Sequence, residues 1–266
     1  MIWVTVVAVC LRAGMTRQNY YAVRRERQRR RVDEELVVSL IKRERRDQPR
    51  LGGRKLKHML RGDLAEAGVK LGRDRWFEML RANGLLVARK RGRARTTNSR
   101  HSLPVFRNLV AGKEPDGPNQ AWASDLTYIR TEAGFLYAAL ITDMYSRKIV
   151  GSYIGDSLEA EGCIRALDEA LVELPAWAYP IHHSDRGCQY CCHPYVERLQ
   201  QRGLPVSMTE VLHCYENALA ERVNGILKQE YEMDRTFRTK EQAGTAFRQA
   251  VWLYNHRRPH LALEYR

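Results

Sequence analysis

Three carboxylates stand where they could do chemistry. Asp185 lies in HHSDRGCQY (182–190), directly after the apolar stretch LPAWAYPI (174–181), so it falls where a buried strand ends at an Arg-Gly turn. Ligand and metal sites in α/β sheets lie beyond the carboxyl ends of strands, and a carboxylate there faces a crevice. Asp125 lies inside another strand-like run, WASDLTYI (122–129). Alternation sends Asp125, Thr127 and Ile129 to one face and Ser124, Leu126 and Tyr128 to the other. A charge in so apolar a strand is costly to bury unless it is paired or holds a metal. Glu221 is the third. At about 100° per residue, Asn217, Glu221, Asn224 and Lys228 share one helical stripe, opposite Leu219, Val223 and Ile226. Two strands and a helix offering three carboxylates suit two Mg²⁺ ions, or Mn²⁺. Hard cations take oxygen ligands, and a pair held roughly 4 Å apart activates an attacking oxygen and stabilises a leaving one. That is phosphodiester chemistry, although 31 acidic residues offer many triplets and spacing alone does not select this one.

The elements around these residues agree with an α/β class. Runs at 120–130, 134–145 and 148–154 are rich in aromatic and β-branched residues and read as strands. Residues 157–174 carry Ile164, Leu167, Ala170, Leu171 and Leu174 at helical spacing, with Ser157 as N-cap. A strand at 178–183, a helix at 193–201, a short strand at 204–208 and a long helix at 217–231 complete the order. Three strands, helix, strand, helix, strand, helix is the order of a ribonuclease-H-like mixed sheet with helices on both faces. Asp143, before Ser146-Arg147, is expected to brace a hairpin turn.

Upstream the character differs. RRERQRRR (24–31) precedes a helical face at Leu36, Val37, Leu40 and Ile41, and further helices are expected at 53–67 and 72–83, the last closed by Gly84. Such basic helices suit a helix-turn-helix module whose final helix brings Arg73, Arg75 and Trp76 to a DNA groove. The expected division is a basic helical segment at 1–32, a helix-turn-helix region at 33–87, a basic flexible linker at 88–119, the catalytic core at 120–235, and a C-terminal helix and basic tail at 236–266. The net charge of +14 and pI near 9.7 point to a polyanionic partner, with nucleic acid foremost. The longest apolar run, residues 1–10, is too short to cross a bilayer and lacks the marks of an export leader, so a cytoplasmic protein with no membrane partner and reduced thiols is expected. Cys188 and Cys191 form a C-x2-C beside His182, His183 and His193, which leaves zinc open, but the second pair of a structural zinc module is missing.

Successive blocks carry a resemblance: WASDLTYI (122–129), ITDMYSRKIVGSY (141–153), IHHSDRGCQY (181–190), PVSMT (205–209), YENALAERVNGILKQEY (215–231) and YNHRRPHLAL (254–263). In order and spacing the chain resembles bacterial insertion-sequence transposases with a retroviral-integrase-type core, most closely the second-reading-frame products of the insertion-sequence-three group. The resemblance maps the family's Asp, Asp, Glu triad onto Asp125, Asp185 and Glu221, with 35 residues between the last two. It implies a two-metal polynucleotidyl transferase in which Asp125 and Asp185 bridge the ions and Glu221 ligates one. Water attacks the phosphodiester at the element's 3′ end, and the freed 3′-hydroxyl attacks a second. Implied partners are double-stranded DNA, as the terminal inverted repeats and target DNA, further copies of the chain, and an upstream-frame product that would make this polypeptide one part of a transposase. His183 and Asn217 stand as supporting residues, and Arg186, Lys228, Arg257 and Arg258 as DNA contacts beside Arg73 and Arg75. Glu216 stands where many relatives have Asp, and 211–214 fills a loop usually glycine-containing and polar in the family. A ribonuclease-H-type nuclease and a non-catalytic DNA-binding regulator are the alternatives.

Overall fold

The structure, a computed structural model, describes residues 5–88, 102–210 and 217–265. Much of the expected linker, the loop at 211–214 and Glu216 lie outside them. The chain forms two compact units, Met1–Asp47 with Leu51–Val87, and Gln48–Arg50 with Ala88–Arg266.

In the first unit, α1 (Val6–Arg12) is capped by the Thr5 hydroxyl, and α2 runs unbroken over Arg17–Asp47. That helix crosses the boundary expected at 32/33, because nothing between 17 and 47 breaks a helix and the basic run is itself a good helix former. Only its second half finds a core. Val37 and Ile41 are buried while Leu36 is exposed, so the apolar stripe is narrower than its spacing predicts. The expected helix at 53–67 is divided into α3 (Gly53–Met59) and α4 (Arg61–Glu66), and α5 spans Arg73–Ala82. Their shared core contains Leu56, Leu60, Leu64, Trp76 and Leu80. Trp76 is wholly buried, with its indole N–H donating to the Gly53 carbonyl at 2.9 Å. It is therefore a core residue, and the groove-facing role expected of it is corrected.

The second unit is built on β1 (Ala121–Thr131), β2 (Gly134–Asp143), β3 (Ile149–Gly155), β4 (Ile181–Ser184), β5 (Val206–Met208) and β6 (Thr236–Phe237). The strand order is β3-β2-β1-β4-β5, with β6 also on β1. β1, β2 and β3 pair antiparallel, whereas β4 runs parallel to β1 and β5 parallel to β4. This is the ribonuclease-H-like mixed sheet expected from the element order. On one face α6 (Ala160–Val172), α7 (Cys188–Cys191) and α8 (His193–Gln201) close a core around Trp122, Leu126, Ile141, Leu167 and Leu199. On the other, α9 (Ala218–Glu230) and α10 (Lys240–His256) close a second core around Ile129, Leu140, Val223, Ile226 and Phe247. Alternation along β1 thus feeds two cores, as a strand covered on both faces requires. Gly151 allows α6 to lie directly on β3, since a Cβ there would stand 2.1 Å from the Ala166 carbonyl oxygen.

Several expectations are revised. Helix α6 begins after Glu159, and Ser157 accepts the Glu159 N–H instead of capping the helix. The part of the expected linker nearest the core is docked: the N–H groups of Asn108 and Leu109 donate to Glu210 Oε1 and Ser207 Oγ, both at 2.8 Å. Leu103 and Phe106 pack on the first core. The strand β5 lies at the end of the sheet, and its exposed edge offers partners that a polar segment satisfies. Asp143 braces its turn as expected, accepting from the Ser146 N–H and hydroxyl and from the Asn119 N–H, each at 2.7 Å.

Candidate active site

Parallel pairing brings two of the carboxylates together. The last matched pair of β1 and β4 is Ala123 with His183. Two residues further on come Asp125, still within β1, and Asp185, the first residue past the end of β4; neighbouring strands in a sheet run about 5 Å apart. Beyond this point β1 has no strand on that edge, among the described residues, until β6 pairs at Arg130. The gap exposes the edge of β1 at Asp125. Helix α9 covers part of it: Asn217, buried just ahead of the helix, donates its amide to the Ser124 carbonyl at 2.9 Å. One turn on stands Glu221, in the first turn of α9, where the helix dipole favours a carboxylate.

Each aspartate is held by backbone. Asp125 Oδ1 accepts from the Leu126 N–H at 2.9 Å, and Oδ2 from the Asn224 side-chain amide at 2.8 Å. Asp185 Oδ1 accepts from the Gly187 N–H at 2.9 Å. The turn carrying Asp185 is fastened to the segment after β5, where Arg186 Nε donates to the Thr209 carbonyl at 2.6 Å and the Thr209 N–H to the Ser184 carbonyl at 3.1 Å. Burial raises the Asp125 carboxyl to about 7, and the charges of Asp185 and, less strongly, Glu221 add to it against the Asn224 and Leu126 bonds. Asp125 therefore feels both of the other carboxylates. Among the described residues no three His, Cys, Asp or Glu side chains gather closely enough to enclose a metal ion as they stand. The donor chemistry nonetheless fits a hard divalent cation: the candidate ligands are oxygens only, and the burial and neighbouring charge that disfavour an ionised Asp125 are what a cation relieves.

The structure treats the other expected residues differently. His183 is fully buried, with Nδ1 2.9 Å from Ser207 Oγ, and joins β4 to β5 instead of facing a substrate. Lys228 sits with Nζ 4.5 Å from the centre of the Tyr128 ring, and burial lowers its pKa. Arg73 and Arg75 are exposed on α5 and Arg257 is partly buried. Arg258 is corrected. Its side chain is buried in a two-pronged bridge to Glu230, at 2.8 and 3.1 Å, so it fastens the chain after α10 to α9 and is not available to phosphate. Cys191 is buried with Sγ 3.6 Å from Met208 Sδ, part of the core and not of a metal cage. Sequence reasoning passed over Asn224, although it shares the stripe of Glu221. It also passed over a buried set under β1 in which His182 Nε2 lies 2.7 Å from Ser124 Oγ and 2.8 Å from the Tyr195 hydroxyl.

Comparison with known proteins decides the family. The integrase core domain family matches residues 115–214 and again, in a second form, 202–266. A 31 kDa protein of insertion element IS600 from Shigella sonnei is 37% identical over 96% of this chain and 94% of its own length. The chain belongs to the bacterial insertion-sequence transposases with an integrase core. A putative transposase for IS986/IS6110 from Mycobacterium tuberculosis (strain ATCC 25618 / H37Rv) is 33% identical over 76% of this chain and 80% of its own. Transposase InsF for IS3A from Escherichia coli (strain K12) is 36% identical over 68% of this chain and 64% of its own. Among solved structures, the HTLV-2 integrase catalytic core domain in complex with magnesium matches with a TM-score of 0.43 at 19% identity, over 58% of this chain and 92% of that one. The transposase is thus a DDE-type polynucleotidyl transferase that acts on DNA in transposition, and this reading stands above a stand-alone nuclease or a DNA-binding regulator. Among the described residues no helix is long and apolar enough to cross a membrane.

Proposed function

We propose that Asp125, Asp185 and Glu221 are the acidic triad of this transposase, that they hold two Mg²⁺ ions, or Mn²⁺, and that the substrates are the element's terminal inverted repeats and target DNA. The observation that carries this is the parallel register of β1 and β4, which sets Asp125 beside Asp185 while Asn217 and Asn224 pin the helix of Glu221 to the same stretch of β1. When bound, the ions supply the Lewis acidity that activates an attacking oxygen and stabilises a leaving one. The chain's own residues hold Asp125 by the Leu126 and Asn224 N–H groups and Asp185 by that of Gly187. Water would break the phosphodiester at the 3′ end of the element and free its 3′-hydroxyl, which would then attack a second phosphodiester, forming a new P–O bond as the attacked strand's own 3′ oxygen leaves, so the same site serves twice.

The exposed Arg73 and Arg75, with Arg186, Lys228 and Arg257, are proposed to contact the DNA backbone, which positions a duplex without reading its sequence. Joining two ends asks for at least two copies of the chain, and an upstream-frame product is a further proposed partner at the nucleoid.

Incubation with Mg²⁺ and a labelled duplex carrying the terminal repeat tests the triad. The native chain is expected to give cleaved and joined products and Asp185→Asn neither. Products retained in Asp185→Asn would remove that residue from the triad. Cleavage by the native chain without joining would favour the nuclease.

A further inference from the structure

Resting on the triad reading, we propose that Asn224 is a positioning residue of the catalytic centre, fixing the Asp125 carboxylate and its separation from Glu221 so that the two can serve the same pair of ions. Asn224 is 6% exposed on a stretch of α9 where Val223, Ile226 and Leu227 all enter the second core. An amide in such company lowers stability unless both of its ends are satisfied. Only one is. Nδ2 donates to Asp125 Oδ2 at 2.8 Å, while Oδ1 is buried with no hydrogen-bond partner among the described residues. The orientation is forced, because turning the amide over would aim its oxygen at a carboxylate oxygen. The position therefore sacrifices one buried hydrogen bond to keep a donor on Asp125, which a residue chosen for packing would not do.

The consequence for Asp125 is geometric. A carboxylate offers about four lone-pair directions. One on Oδ1 is taken by the Leu126 N–H and one on Oδ2 by Asn224, which fixes the plane of the group and leaves one direction on each oxygen for cations. Asn224 also follows Glu221 by three residues on the same helix stripe, so the bond to Asp125 sets how far Glu221 stands from β1. A single contact thus couples the two carboxylates that arise on different elements. Outer partners of this kind orient ligands, and their loss typically weakens metal binding without removing a ligand.

The test uses the full chain and Mn²⁺ as probe. Binding is measured by calorimetry without DNA, and the Mn²⁺ dependence of strand cleavage is measured beside it, for the native chain, Asn224→Ala, Asn224→Leu and Asp125→Asn. Both Asn224 variants are expected to bind Mn²⁺ roughly 10- to 100-fold more weakly and to recover cleavage as Mn²⁺ is raised, while binding of the terminal-repeat duplex is unchanged. Asn224→Leu nearly conserves the shape of the side chain and leaves no unsatisfied amide, so it is expected to fold, with thermal melting as the check, and carries the measurement if Asn224→Ala does not fold. Unchanged Mn²⁺ affinity in a folded Asn224→Leu overturns the inference alone. Mn²⁺ binding by the native chain that Asp125→Asn leaves intact overturns the triad reading beneath it.

Discussion

Asp125 occupies a strand interior yet keeps an acidic side chain, and its proton has become hard to remove: burial first, then Asp185 and Glu221, raise the carboxyl to about 7. An unfolded chain ionises it near 3.8. Because the folded value is the higher one, the favourable contribution of this group is present below about pH 4 and disappears as pH rises to 7, an upper change of about 4 kcal/mol. Without divalent metal, Asp125→Asn is therefore expected to melt higher than the native chain at pH 7.5 and alike at pH 4. Scanning calorimetry with a chelator measures this, and Mn²⁺ should close the gap from the native side. His182 has the opposite bias. Burial, with His183 beside it, lowers its pKa to about 3, so its stabilising neutral state is intact above about 6.5 and stability falls below that pH as the unfolded chain takes up the proton. By pH 4.5 the loss is roughly 3 kcal/mol, and urea titrations should show it shrink in His182→Gln.

Elements were more legible than their joints. The strand that carries Asp125, the strand end at Asp185 and the helix of Glu221 each follow from local pattern, because alternation and helical period are set by which face is buried. The parallel register that makes neighbours of Asp125 and Asp185 is not local, and neither is the two-residue strand β6, whose pairing with β1 depends on where α9 ends. Asn224 was visible as a member of the Glu221 stripe, but only the packing of α9 on β1 shows what its amide faces. Arg258 and Trp76 misled for one reason: long basic and aromatic side chains look alike in sequence whether they meet DNA or a buried partner. Contact between β3 and α6 was equally unreadable, since Gly151 is a bare glycine until the Ala166 carbonyl is seen against it. Gly151→Ala would drive a methyl group to 2.1 Å from that backbone oxygen, so α6 must shift. A loss of about 3 kcal/mol or more is expected in urea unfolding, with α6 the first element to lose hydrogen-exchange protection.

Charge is the property of the whole molecule that bears most directly on its DNA substrate, yet the +14 is a sum over residues with different tasks. Some are committed inside the protein. Arg258 is 7% exposed and bridged to Glu230, while Arg73 and Arg75 lie open on α5. Salt separates the two kinds. Each phosphate contact releases counterions and steepens the fall of affinity with salt, so removing one true contact lowers the slope of log K against log salt by about 1. Arg73→Ala and Arg75→Ala are each expected to do so in filter-binding titrations of a duplex, with melting temperature unchanged. Arg258→Ala is expected to leave that slope alone and instead cost about 3–5 kcal/mol of stability, since Glu230 would be left partly buried and without its guanidinium. A slope lowered by Arg258→Ala, or unmoved by both α5 variants, would shift the DNA footprint from the first unit to the region after α10.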